Sequence, residues 1–212
     1  MPMKQIFIAD DHGLIREGFK RLIEAEVGLE VIGESDNGLD ALSFLREHDC
    51  DLLVLDISMP GKNGLELLKE LKVLRPGLKV LILTMHPEDR FALRALRAGA
   101  DGYLTKVSAP KELIKAIEKV LNGGKYITES LAEQLATHLD LSARKAGHEL
   151  LSDREFEVFI LLAEGKGVAE IADQIHLSQS TINTYRARIL EKMGLRSNAD
   201  IIHYALRNNL LD

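Results

Sequence analysis

The sequence predicts an α/β domain, a doubly wound five-stranded parallel sheet, followed by a smaller all-α domain. Three observations predict this. Short apolar runs alternate with amphipathic stretches as far as Leu121. Two of these runs, Leu52 to Ile57 (LLVLDI) and Val80 to Thr84 (VLILT), are almost continuously apolar with β-branched content, as strands buried on both faces require. After Gly123-Gly124 the alternation stops and only helical patterns remain.

Lys4 to Ala9 (KQIFIA) reads as the first strand. Leu14 to Ala25 places Leu14, Ile15, Phe19, Leu22 and Ile23 at helical spacing. A short run, Glu30 to Glu34, supplies the second strand, and Leu39 to Leu45 is again helical. The third and fourth strands are the two apolar runs, and Gly102 to Lys106 is a shorter fifth. Helical patterns over Gly64–Leu74, Pro87–Ala98 and Pro110–Leu121 follow the last three strands. Ligands of such a sheet bind at the carboxyl ends of its strands. Thr128 can cap a helix running to about Leu141, with Leu131, Leu135 and Leu139 on one stripe. The polar stretch Ser142 to Gly147 (SARKAG) reads as a linker.

Beyond it, Ser152 and Glu155 have capping-box spacing ahead of a helix that Gly165 and Gly167 interrupt. Val168 to His176 is a short helix. Ser178 opens a longer one to about Met193, with Gly194 as its C-cap. A last helix spans Asn198 to Arg207. Helix, short turn, helix is the layout of a DNA-reading domain. The expected division is 1–124, a linker region 125–148, and 149–212.

Composition narrows the function classes. The lone cysteine, Cys50, excludes an intramolecular disulfide and a Cys-x-x-Cys zinc cluster, and reads as a small apolar filler. No apolar run reaches the roughly 18–20 residues of a spanning helix, so we expect a soluble, cytoplasmic protein with no membrane partner. A net charge of −6 argues against nucleic acid as a partner until it is partitioned. Ser178 to Arg196 carries Arg186, Arg188, Lys192 and Arg196 against Glu191 alone, a local charge of +3. The acidic residues of the last domain concentrate earlier, around Asp153 to Asp173. The domain is therefore a dipole whose positive end lies on the longest helix.

Asp10 and Asp11 stand where the first strand ends, Asp56 near the end of the third, Thr84 at the end of the fourth, and Lys106 at the end of the fifth. In a parallel sheet these ends share one edge. Three carboxylates in one cleft repel unless a cation sits among them. Few protein oxygens suit Mg2+, which keeps waters and takes a phosphate oxygen. A hydroxyl and an ammonium complete a phosphoryl site, and a carboxylate can itself be the nucleophile. Taken singly, Asp11 reads equally well as the N-cap of the next helix.

These residues resemble those of bacterial two-component response regulators of the NarL/FixJ subfamily. The resemblance covers roughly residues 3–123. It rests on Asp10-Asp11, Asp56 with Met59-Pro60-Gly61, Leu83-Thr84-Met85-His86, Ala98-Gly99-Ala100-Asp101-Gly102-Tyr103, and Lys106. It implies a receiver domain of flavodoxin-like fold in which Asp56 accepts a phosphoryl group from a sensor histidine kinase. Asp11, Asp56 and the backbone carbonyl of Ser58 would ligate Mg2+, with Asp10 acting through water. Lys106 would pair with the phosphoryl oxygens, Thr84 would donate its hydroxyl to them, and Tyr103 would change rotamer as Thr84 moves. The peptide after this lysine is often cis in the family, here Lys106-Val107. His86 reads as a loop residue without chemistry of its own.

Residues 149–212 resemble the LuxR-type helix-turn-helix domain through Leu151-Ser152-Asp153-Arg154-Glu155, Leu161-Leu162-Ala163-Glu164-Gly165, Glu170-Ile171-Ala172, Leu177-Ser178, Thr181-Ile182 and Lys192-Met193-Gly194. The helix from Ser178 to Met193 would be the recognition helix. Thr181, Arg186, Arg188 and Lys192 are candidates for phosphate contacts. Asn183, Thr184 and Ala187 stand nearest base edges in the family pattern. Family members usually carry Lys and His where this chain has Asn183 and Tyr185, and an Arg is common near Asn198. The reading is a transcription regulator switched by phosphorylation, not a conventional enzyme. It would form a homodimer on double-stranded DNA, and Ile201, Ile202, Tyr204, Ala205 and Leu206 read equally as a candidate dimer surface or as ordinary core packing. A Mg2+ phosphohydrolase is the enzymatic alternative, but no Asp-x-Asp motif or substrate lid follows a strand. A regulator whose last domain binds another protein is the third.

Overall fold

The computed structural model describes residues 3–128, 131–133, 147–208, 210 and 211. The chain divides into two compact units, Met1–Leu135 and Ala136–Asp212.

The first unit alternates β1 (Lys4–Ala9), α1 (Gly13–Glu24), β2 (Leu29–Ser35), α2 (Gly38–Glu47), β3 (Leu52–Leu55), α3 (Gly64–Leu74), β4 (Lys79–Thr84), α4 (Glu88–Arg97), β5 (Gly102–Thr105) and α5 (Ala109–Leu121). The five strands form one parallel sheet in the order β2-β1-β3-β4-β5. Strand order reverses between β1 and β3, which opens a crevice at their carboxyl ends. Register brings the critical residues level there. Ala9 pairs with Leu55 and Leu55 with Ile82, so Asp10 and Asp56 leave neighbouring strands side by side. The Asp56 N–H donates to Ala9 O at 2.8 Å. Thr84 pairs with Thr105, and the Lys106 N–H donates to Thr84 O at 2.8 Å.

Burial explains the strand patterns. Ile6, Ile8, Leu52, Val54, Leu81, Leu83 and Leu104 cover one face, against Phe19 and Ile23 of α1 and Leu113, Ala116, Ile117 and Val120 of α5. The alternate residues Phe7, Leu53, Leu55, Val80, Ile82 and Tyr103 are buried as well. Both faces are therefore apolar, which erases the polar alternation of a half-exposed strand. Gly64 is required where α3 begins. A Cβ there would lie 1.9 Å from the Asp56 carbonyl oxygen, so only glycine lets α3 start this close to the strand end. The Asn63 side chain caps α3 by accepting the Leu65 N–H at 2.8 Å.

Most of the helix expected from Thr128 to about Leu141, and nearly all of the linker Ser142 to Gly147, lies outside the described residues. Thr128 does accept the Leu131 N–H on its hydroxyl at 3.3 Å, and 131–133 are helical.

The described part of the second unit opens on a short 3-10 turn, Gly147–Leu150. Four helices follow: α6 (Asp153–Ala163), α7 (Val168–Gln174), α8 (Gln179–Met193) and α9 (Asn198–Arg207). Ser152 and Glu155 form the expected capping box, and Ser197 and Asp200 form another before α9. Gly194 ends α8 in the left-handed conformation at φ 66°. One boundary differs from expectation. α7 stops at Gln174, two residues early, because His176 itself is left-handed at φ 53° and turns the chain toward α8. Ile171, Ile175, Ile182, Ile189, Ile201 and Ala205 are buried. Of the two readings of this stripe, Ile201 and Ala205 take core packing, since they face the core of their own domain, while Leu206 is exposed.

Candidate functional site

Asp10, Asp56, Thr84 and Lys106 converge at the carboxyl edge of the sheet, each at most 6% exposed. The Lys106 ammonium holds the group together. It donates to Asp56 Oδ2 at 2.6 Å and to Asp10 Oδ1 at 2.8 Å. The Ile57 N–H donates to Asp56 Oδ1 at 2.7 Å. Burial pushes the Asp56 carboxyl above its ordinary range, and the Asp10 charge adds to this, against the Lys106 ammonium and the Thr84 hydroxyl. Burial alone would depress Lys106, but Asp56 and Asp10 together raise it, so it stays charged. A buried cation thus stands against a carboxylate that costs free energy to ionise, and a phosphoryl group on Asp56 would give that cation a stronger partner.

Asp11 is not the N-cap of α1; His12 is. The Asp11 carboxylate turns to the cluster, with Oδ1 2.7 Å from His12 Nδ1. His12 carries little signal in the sequence. Its one signal is position, since it directly follows the aspartate pair at a place where a capping oxygen is the usual choice. One ligand atom each from Asp10, Asp11, His12 and Asp56 lies within 4.8 Å of the others. Hard carboxylate oxygens so grouped fit Mg2+.

Thr84 and Tyr103 are linked through His86. The His86 N–H donates to Thr84 Oγ1 at 3.4 Å, and the Tyr103 hydroxyl donates to His86 O at 2.9 Å. The Tyr103 ring is fully buried. The His86 ring is held from two sides. Its Nε2 is 2.8 Å from Ser58 Oγ, and it stacks on Phe91 with centroids 4.1 Å apart. The structure thus ties Ser58 in through its hydroxyl, a contact the sequence reading did not include. The Lys106-Val107 peptide is trans, since no cis bond occurs among the described residues. Cys50 is half-buried, and burial pushes its thiol up to about 12, which makes it unreactive.

In the second unit, Ile182 and Ile189 face the core, leaving Asn183, Thr184, Ala187 and Arg188 exposed on one stripe of α8. The three candidate base-reading residues and one cation therefore share a face. The other candidates are engaged within the domain. The Arg186 Nε donates to Asn198 Oδ1 at 2.6 Å. The Lys192 ammonium donates to Glu155 Oε2 at 2.6 Å. Burial would raise Glu155, but Lys192 and Ser152 hold its carboxyl below the usual range. Thr181 bonds Ser178, the N-cap of α8, through its hydroxyl at 2.8 Å.

Residues 6–118 match the family described as response regulator receiver domain, and residues 149–205 match bacterial regulatory proteins of the luxR family. The response regulator UvrY of Escherichia coli is 34% identical over 209 residues, covering 98% of this chain and 96% of that one. The response regulator GacA of Pseudomonas aeruginosa is 36% identical over 211 residues, 99% of each chain. RcsB from Salmonella enterica serovar Typhimurium, solved bound to promoter rprA with the phosphomimetic BeF3-, superposes with a TM-score of 0.65 at 28% identity, covering 95% of this chain and 98% of that one. A receiver cleft followed by a luxR-type helix-turn-helix, alike over essentially the whole length of such relatives, places this chain among the response regulators of two-component systems, as a DNA-binding regulator of transcription.

Proposed function

We propose that Asp56 is the phosphoacceptor and that its phosphorylation by a sensor histidine kinase controls dimerisation and DNA binding. The observation that carries this is the buried Lys106 ammonium bound to both Asp10 and Asp56 at the strand ends. In the reaction an Asp56 carboxylate oxygen forms a bond to phosphorus as the phosphorus–nitrogen bond of the kinase phosphohistidine breaks. The electron pair leaves with the imidazole. Lys106 exchanges its carboxylate partners for phosphoryl oxygens and neutralises charge in the loose transition state. The Thr84 hydroxyl donates to the new phosphoryl group, and its displacement reaches Tyr103 through the His86 backbone.

Asp10, Asp11, Asp56 and the Ser58 carbonyl are the residues that would hold Mg2+, which screens the charge of the incoming phosphoryl group. Thr181, Asn183, Thr184, Arg186, Ala187, Arg188 and Lys192 form the DNA-facing set. Arg188 is ready on the surface, whereas Arg186 and Lys192 must leave or share Asn198 and Glu155. RcsB is solved as dimers bound to DNA, which supports a homodimer here. Among the described residues no helix is long and apolar enough to cross a membrane, and work on DNA fits a cytoplasmic location.

The test is intact-mass analysis after incubation with Mg2+ and a small phosphodonor. The wild type should gain one phosphoryl group and Asp56→Asn none. A gain that survives in Asp56→Asn would defeat the assignment.

A further inference from the structure

Arg186 lies one helical turn after Ile182 and one before Ile189, the buried residues of α8. Its stem therefore runs beside the core-facing stripe, and the residue is half-buried. Asn183, one turn earlier, is its neighbour on the exposed side. Arg186 thus flanks the base-reading stripe, a position suited to the phosphate backbone at the edge of a groove. Its guanidinium is tied from a second element. Nε donates to Oδ1 of Asn198, the first residue of α9, at 2.6 Å. That mount is rigid. Gly194 closes α8, and the Leu195 N–H donates to Leu190 O at 2.9 Å. Asp200 Oδ2 accepts the N–H groups of Arg196 and Ser197, each at 2.9 Å. The amide partner is also neutral. It occupies the Nε donor and cancels no charge, which leaves the paired Nη donors and the positive charge for a phosphate. Lys192 is the contrast. Its partner Glu155 is a carboxylate only 3% exposed, so that ammonium's charge is already matched.

We propose that Asn198 is a positioning residue for DNA binding: it sets the Arg186 guanidinium beforehand in the orientation that clamps a backbone phosphate. This rests on the reading of α8 as the DNA-facing helix. An unbraced arginine loses its rotamer freedom when it binds. A braced one has already lost it in folding, so the brace raises affinity without a contact of its own.

The experiment is anisotropy titration of a labelled mixed-sequence duplex with the full-length chain over a salt series. The chains compared are wild type, Arg186→Ala, Asn198→Ala, Asn198→Asp and the double alanine variant. Phosphate contacts are independent of sequence, so this probe reads them directly. Arg186→Ala should weaken binding and lower the salt slope by about 0.9. Asn198→Ala should weaken it by about two- to tenfold, the cost of ordering one long side chain on binding. Its slope should match wild type, and it should add nothing on the Arg186→Ala background. Asn198→Asp keeps the acceptor and puts an acid in the first turn of α9, which favours the helix. It should nevertheless lower both affinity and slope, because its charge offsets that of Arg186. Unchanged or tighter binding by Asn198→Ala overturns the proposal, the tighter case meaning that the amide sequesters Arg186. An Asn198→Ala loss that persists without Arg186 also overturns it, as a structural defect of α9, and so does wild-type binding by Asn198→Asp. Affinity and slope unmoved by Arg186→Ala would instead sink the DNA-contact reading of Arg186, and this proposal with it.

Discussion

Lys106 carries the electrostatics of the receiver cleft. Removing it strands two buried carboxylates, and breaking such a pair from one side costs about 3 kcal/mol or more. Lys106→Ala should therefore lower the urea midpoint markedly, and added Mg2+ should restore part of the loss by replacing the missing cation. A loss that Mg2+ does not relieve would contradict that role. Asp101 makes a second prediction, of known sign. Burial would raise its carboxyl, but Lys72, the Val80 N–H and Lys125 outweigh it and hold the group below the usual carboxylate range. A depressed carboxyl stabilises the fold above its ordinary pKa, and that stability is lost as pH falls through the folded value. Asp101→Asn should cost about 1–3 kcal/mol at neutral pH, and the gap to wild type should close in acid. A pH-independent gap would assign the cost to packing.

At the scale of elements, strand ends and helix starts are what the sequence made legible. Continuous apolar runs marked β3 and β4, and the residues after them fell at one edge because a parallel sheet aligns carboxyl ends. The capping box at Ser152 was readable because its spacing is local. Side-chain partners between elements were not. Nothing in the spacing of Glu155 and Lys192, or of Arg186 and Asn198, announces that they pair. Helical periodicity also gave α9 an apolar stripe without saying whether its own domain or a second copy covers it. Lone histidines such as His12 and His86 carry no periodic signature at all. Two tests belong here. Gly64→Ala drives a Cβ into the Asp56 carbonyl, so α3 must shift. It should cost about 1–3 kcal/mol and slow phosphorylation of Asp56, whereas a rate equal to wild type would show that the loop absorbs the methyl. Ser178→Ala removes the oxygen that accepts the Thr181 N–H. It should destabilise by about 1 kcal/mol in denaturant unfolding and weaken DNA binding, since it loosens the first turn of α8.

For the whole molecule, the net charge of −6 conceals the partition that matters, an acidic receiver cleft and a +3 stretch from Ser178 to Arg196 that spans α8. Under the proposed function, phosphoryl chemistry at Asp56 and base reading on α8 are separate sites, so a connection between them is a coupling free energy and must appear as a change in affinity. The decisive measurement is DNA affinity of wild type and Asp56→Asn, each with and without Mg2+ and a phosphodonor, at fixed salt. Phosphorylation should tighten wild-type binding by about five- to 150-fold, the usual range of such coupling, and leave Asp56→Asn unmoved. Equal affinities for phosphorylated and unphosphorylated wild type, or the same tightening in Asp56→Asn, would contradict the phosphoryl switch.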